Sequence, residues 1–125
     1  MGVEWSDCMK VAKLVGVKTF LNEFLAFGQL SVFINNRKNG STGPVLSLRS
    51  ETIAVYVLTG FTNFLSVGIF LGGYGQLAPS RKTDMARIAI RGLVAATLAC
   101  MVTACVAGIL YQESWDQSSK LNQVT

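Results

Sequence analysis

Apolar and polar positions fall along this chain in long blocks. Residues 3–34 are apolar with a few interspersed charges, and the run INNRKNGSTGP that follows is polar, with two glycines and a proline. From Thr52 to Ser80 no residue carries a formal charge, and none does from Gly92 to Gln112. Each of these two blocks exceeds the roughly 20 residues a helix needs to cross the hydrocarbon core. After Tyr111 the sequence QESWDQSSKLNQVT turns polar again. The pattern predicts three membrane pieces, 3–34, 49–79 and 84–111, and a polar disordered tail over 112–125.

Two of the three pieces are interrupted. The first is broken near Gly16–Asn22, which leaves two arms of about 12 to 15 residues, each too short to span alone, as in a re-entrant hairpin. The second holds Gly60, Thr62, Asn63 and Ser66 at its middle, between YVL and GIFL, which predicts a helix that breaks at mid-depth. Pro79 ends this piece, and Thr83 or Asp84 is placed to cap the next. The third piece is a more ordinary transmembrane helix. Small residues recur every fourth position in two adjacent rows, Ala96–Cys100–Ala104–Gly108 and Ala95–Ala99–Thr103–Ala107, and predict close approach by a neighbouring helix.

Composition changes the solvent in which this pattern is read. Of 125 residues, half are apolar and 14% are charged. A core of that size has too little polar chain to cover it in water, so the fold class is all-α integral membrane. The net charge of +4 does not point to nucleic acid, because the basic residues are scattered or flank apolar blocks. Cys8, Cys100 and Cys105 lack metal-ligand spacing, and histidine is absent. Without a nucleophile–base pair the chain is not read as an enzyme.

Basic residues also set the orientation. Arg81, Lys82, Arg87 and Arg91 outnumber Arg37, Lys38 and Arg49, which puts the 80–91 side in the cytoplasm. The 35–48 loop and the tail then face outward. Asn39-Gly40-Ser41 is a glycosylation acceptor sequence in that loop.

The stretch KTFLNEFLAF brings chemistry into the membrane. An ionisable residue at mid-depth costs about 2.5 to 3.5 kcal/mol on insertion scales, so Glu23 marks a functional site by default. A Lys18–Glu23 pair that neutralises itself within a folded hairpin is the structural alternative. Asn63 and Ser66 lie at mid-depth in the second interrupted piece. Two broken segments that bring uncharged polar groups and one carboxylate together are how secondary transporters build a midplane site. Amide, hydroxyl and carboxylate suit a neutral polyhydroxylated solute.

At these residues the sequence resembles the C-terminal portion of the concentrative nucleoside transporters. The matching runs are GVKTFLNEFLAF, GFTNFLSVGIFLGG and PSRKTDMARIAIRGL, within about residues 3–111. Phe27 departs from the tyrosine common in that family. The resemblance implies a membrane region over 1–111 that forms part of an inverted-repeat transporter fold, with 3–34 as a re-entrant hairpin and 49–79 as a broken helix. It implies that Glu23, Asn63 and Ser66 bond the ribose hydroxyls of a nucleoside, that Phe61 packs against the base and that Asn22 is a further substrate-binding residue. It also implies a multi-pass plasma-membrane protein and a sodium coupling ion whose ligands lie mainly outside this chain. The implied partners are the N-terminal half of the transporter and, at full length, two further copies in a homotrimer. The alternative is a truncated, non-transporting membrane protein that assembles with or regulates a full-length transporter.

Overall fold

The computed structural model describes residues 1–111, and the tail expected over 112–125 lies outside them. The described residues form five α-helices and no strand. α1 is Cys8–Phe20, α2 Glu23–Lys38, α3 Leu48–Leu58, α4 Phe64–Leu77 and α5 Lys82–Leu110. A single 3-10 turn, Trp5–Asp7, precedes α1, and another, Pro79–Arg81, precedes α5.

Apolar spacing decides which helix becomes the centre. α3 buries Ser50, Ile53, Ala54, Val57 and Leu58, three and four residues apart, which gives it a broad inward face. α1 offers Val11, Leu14 and Lys18 at the same spacing, and α2 offers Ala26 and Leu30. These faces close on α3 from two sides, while α5 covers it from a third. The core is Val11, Leu14, Ala26, Leu30, Leu46, Ile53, Ala54, Val57, Leu58 and Ala104. At about 25 cal/mol per Å² of apolar surface removed from water, this cluster is the main source of cohesion in the four-helix unit.

α4 lies outside that unit. Its buried residue is Gly75, and Phe64, Leu65, Ile69, Tyr74 and Leu77 are exposed. α5 runs for 29 residues, and at 1.5 Å each it is about 44 Å long. The segment Pro79–Leu110 is long and apolar enough to cross a membrane, with a mean hydropathy of 2.4 and only 11% of its apolar window buried. So apolar a helix surface needs lipid or further protein around it.

Three features differ from the sequence expectations. α2 continues through Asn35 to Lys38, so the loop begins at Asn39. The next proline comes at Pro44, and Arg37 and Lys38 suit the negative end of the helix dipole. Gly40 then reverses the chain at a φ of +61°, a left-handed conformation that glycine adopts without strain. At α5, neither Thr83 nor Asp84 caps the helix. Pro79 opens a 3-10 turn that runs straight into Lys82, and Asp84 instead pairs with Arg81 at 3.1 Å in the first turn. The two small rows on α5 also part company. Ala104 and Gly108 are buried, with Gly108 against Ile53 of α3, while Ala95, Ala99 and Thr103 are exposed.

Candidate functional site

Both chain interruptions restart as helices in the same manner. After α1 stops at Phe20, Asn22 takes an extended conformation and its Oδ1 accepts the Leu25 N–H at 2.9 Å, which starts α2. After α3 stops at Leu58, Asn63 is likewise extended and its Oδ1 accepts the Ser66 N–H at 2.7 Å, which starts α4. Asparagine is among the strongest N-caps, because its side chain satisfies a backbone donor that the helix cannot. In the second case the cap is reciprocal. The Asn63 N–H donates to Ser66 Oγ at 3.2 Å, and that hydroxyl donates to the Asn63 carbonyl at 2.6 Å.

The fold brings these two helix starts together. Asn63 Nδ2 donates to Glu23 Oε2 at 2.9 Å, across 40 residues of sequence. Glu23 is the first residue of α2, so its carboxylate sits where the dipole of that helix favours negative charge. The α4 start adds a second set of donors through Asn63. Asn63 itself is fully buried, whereas Glu23 and Ser66 are half-buried. Phe20 and Phe64, with ring centroids 5.5 Å apart, bridge the end of α1 and the start of α4 beside this junction.

Lys18 does not pair with Glu23. Among the described residues the ion pairs are Asp7–Lys10, Arg37–Glu51 and Arg81–Asp84. The interruption at Leu21–Asn22 takes Lys18 and Glu23 off any common helix face, and Lys18 reaches across to α3. Its Nζ donates to the Val57 carbonyl at 2.8 Å, in the last turn of that helix, and the residue is 1% exposed. The Cys100 thiol of α5 lies beside the ammonium. Cys100 also faces the second interruption, with its sulfur 4.0 Å from Thr62 Oγ1. A Cβ at Gly60 would collide with that sulfur, so glycine is what lets α5 cross so close to the break.

Phe61 is 54% exposed at the same break. Together with Ser66, Phe70, Tyr74 and Ile88 it borders an open groove of about 790 Å³ between α4 and α5. The structure thus gathers Glu23, Asn63 and Ser66 into one hydrogen-bonded unit and leaves Phe61 at its edge. Asn22 stands next to Glu23 as the α2 cap. Asn39 lies apart, exposed at the end of α2. Sequence reasoning missed Lys18 as a ligand of the α3 end, and it missed the Gly60–Cys100 crossing. The cue for the first was a lysine within the apolar face of α1, and for the second a glycine immediately before the polar run of the break. Among the described residues no cluster of three metal-ligating side chains occurs.

The chain resembles known proteins throughout this region. The family described as "Na+ dependent nucleoside transporter C-terminus" matches residues 1–108. Solute carrier family 28 member 3 of Mus musculus is 54% identical over 118 residues, covering 88% of this chain and 16% of its own length. Sodium/nucleoside cotransporter 1 of the same species is 44% identical over 117 residues, covering 89% of this chain and 18% of its own length. The chain therefore spans less than a fifth of these relatives, whose names are those of transporters and not of enzymes. Among solved structures, CNTnw in an inward-facing substrate-bound state superposes with a TM-score of 0.78 at 32% identity, over 86% of this chain and 25% of that one. An outward-facing state of CNTnw gives a TM-score of 0.77 at 32% identity, over 86% and 24%.

Proposed function

The chain belongs to the Na+-dependent nucleoside transporter family, in its C-terminal part, and we propose that it supplies the ribose-binding half of the substrate site of a sodium-coupled nucleoside transporter. The observation that carries this reading is the Glu23–Asn63 hydrogen bond, which joins two interrupted helices at their N-terminal ends. A carboxylate so held has lone pairs left over after Asn63 has taken one, and a ribose diol is a matching donor.

In this reading α1 and α2 form a re-entrant hairpin. At 13 and 16 residues they are about 20 and 24 Å long, both short of the roughly 30 Å hydrocarbon core. α3 and α4 are the halves of one broken transmembrane helix, and α5 is a full crossing. Glu23 accepts from a ribose hydroxyl, Ser66 and Asn63 flank it, Asn22 fixes the start of α2, and Phe61 packs on the nucleobase. The complete protein is a multi-pass plasma-membrane homotrimer built on an inverted repeat, with residues 39–47 facing outward and its sodium ligands mainly in the N-terminal portion.

The test is a substrate cycle in the complete transporter. Wild type and Glu23→Gln are each assayed with a ribonucleoside and its 2′- and 3′-deoxy analogues. A charge-assisted contact is worth roughly 1.5 to 3 kcal/mol, so the substitution weakens apparent affinity roughly 10- to 150-fold. It also shrinks the cost of removing the hydroxyl that Glu23 contacts. A mutant that retains the wild-type preference at both positions removes Glu23 from the sugar site.

A further inference from the structure

A buried ammonium at the end of an interrupted helix calls for an explanation in its own right. The last four carbonyls of any α-helix lack intrahelical donors, and they carry the negative end of its dipole. In α3 one of those groups, the Val57 carbonyl, is turned into the protein interior, where it needs a donor from the protein itself. The Thr59 hydroxyl donates to the Tyr56 carbonyl at 2.9 Å. The Val57 carbonyl takes the Lys18 ammonium at 2.8 Å. The lysine arrives from another helix, 39 residues away in sequence, and its whole side chain is buried.

Where transmembrane helices unwind at mid-depth in secondary transporters, free carbonyls at half-helix C-terminal ends coordinate the coupling cation. Here that electrostatic role is already filled. We propose that Lys18 is a tethered cation, its ammonium standing at the broken end of α3 where a coupling sodium ion would otherwise bind. This inference rests on the transporter reading above and extends it: the break at 59–63 holds no sodium of its own. It also gives the charges around the break one order. The negative end of α3 meets Lys18, and the positive ends of α2 and α4 meet Glu23. The titratable groups facing Lys18 are Glu23 from α2 and Cys100 from α5. Neither forms an ion pair with it, so the carbonyl end of α3 is its principal partner.

A cation fixed by a covalent stem can be exchanged for a free one. In Lys18→Ala the lost atoms correspond to n-propylammonium. The complete transporter, purified in detergent without nucleoside, is followed by thermal unfolding in the presence of n-propylammonium, 1-propanol or sodium. Loss of the buried contact lowers the folded-to-unfolded ratio of Lys18→Ala roughly 10- to 150-fold. The expected result is that n-propylammonium raises its midpoint, 1-propanol does not, and sodium stabilises it more than it stabilises wild type. If n-propylammonium acts no better than 1-propanol, the tethered-cation role is overturned. Where Lys18→Ala yields no folded protein, Lys18→Arg and Lys18→Met decide. Arginine keeps the cation and methionine only the stem, so folded yield from Lys18→Arg must exceed that from Lys18→Met, and equal yields overturn the inference. Because nucleoside is absent throughout, these outcomes stand apart from whether Glu23 binds sugar.

Discussion

At the loop end of the α1–α2–α3 unit, Asp7 pairs with Lys10 at 2.8 Å and also accepts the Ser47 N–H at 2.9 Å. Arg37 grips Glu51 at 2.6 Å, and Lys10 donates a further bond to the Val45 carbonyl at 2.7 Å. The broken end has the same ingredients, a lysine, a carboxylate and helix termini, put to different use. Lys18 and Glu23 stay apart, each holding a neutral group, Val57 O in one case and Asn63 Nδ2 in the other. Opposite charges that neutralise each other across a loop make a clamp. A carboxylate balanced at a distance, by helix dipoles and by a lysine bound elsewhere, keeps acceptor capacity for a solute. The comparison predicts that substitutions at the loop end change stability alone, whereas those at the broken end also change how substrate and sodium are handled.

The largest effect is expected at Asn63, where two functions meet in one amide. Asn63→Ala removes an N-cap, about 1 kcal/mol, and takes from the Glu23 carboxylate its amide donor, about 1.5 to 3 kcal/mol more. Asn63→Asp keeps the cap and replaces the donor with a second carboxylate facing Glu23. Thermal unfolding and uptake of the two variants separate the roles. The alanine variant loses both the cap and uptake, and the aspartate variant loses uptake with the α4 cap still in place. If the aspartate variant transports like wild type, the Asn63–Glu23 bond is a scaffold contact like those at the loop end.

Next in size is the crossing of α5 over the second break. Gly60→Ala drives a methyl group into Cys100 Sγ, and overpacking of that kind costs about 1 to 3 kcal/mol. The collision is with the sulfur, since the Cys100 Cβ lies at an ordinary 3.7 Å from the added atom. Gly60→Ala/Cys100→Ala should therefore recover most of the stability lost in Gly60→Ala alone. A double variant no more stable than the single one would show that the break tolerates no side chain at residue 60, whatever α5 presents.

The two ends were unequally legible in the sequence. Glu23, Asn63 and Ser66 announced themselves because polar groups inside long apolar blocks are costly, and residue type alone carries that information. The bond between them could not be read, since nothing local sets which of two distant interruptions meets the other. The partner of Lys18 could not be read for the same reason. A nearby carboxylate in sequence was the obvious partner, yet its actual acceptor is a backbone carbonyl, which every residue has and no sequence pattern marks. On α5, two equivalent small rows were visible, but which one faces α3 depends on the rotation of the helix. That rotation is settled by Ile53 fitting over Gly108.

The smallest expected effect is also the one that tests the clamp. Arg37 and Glu51 sit at 27% and 19% side-chain exposure, between the fully exposed pairs that contribute nothing measurable and the buried ones that cannot be broken cheaply. Two guanidinium nitrogens reach the same carboxylate oxygen, Nη2 at 2.6 Å and Nε at 3.2 Å, so the contact ties the last turn of α2 to the first turn of α3. A coupling energy of about 0.5 to 1 kcal/mol is expected from the cycle of Arg37→Met, Glu51→Gln and the double variant, read by thermal unfolding. Because the pair is partly solvated, raising the salt concentration should reduce that coupling. Apparent affinities for nucleoside and for sodium should be the same in all four proteins. A shift in either would mean that motion of α2 against α3 is communicated to Glu23 through the length of the helix. The loop end would then be part of the transport machinery, and the division between a closed clamp and an open site would fail.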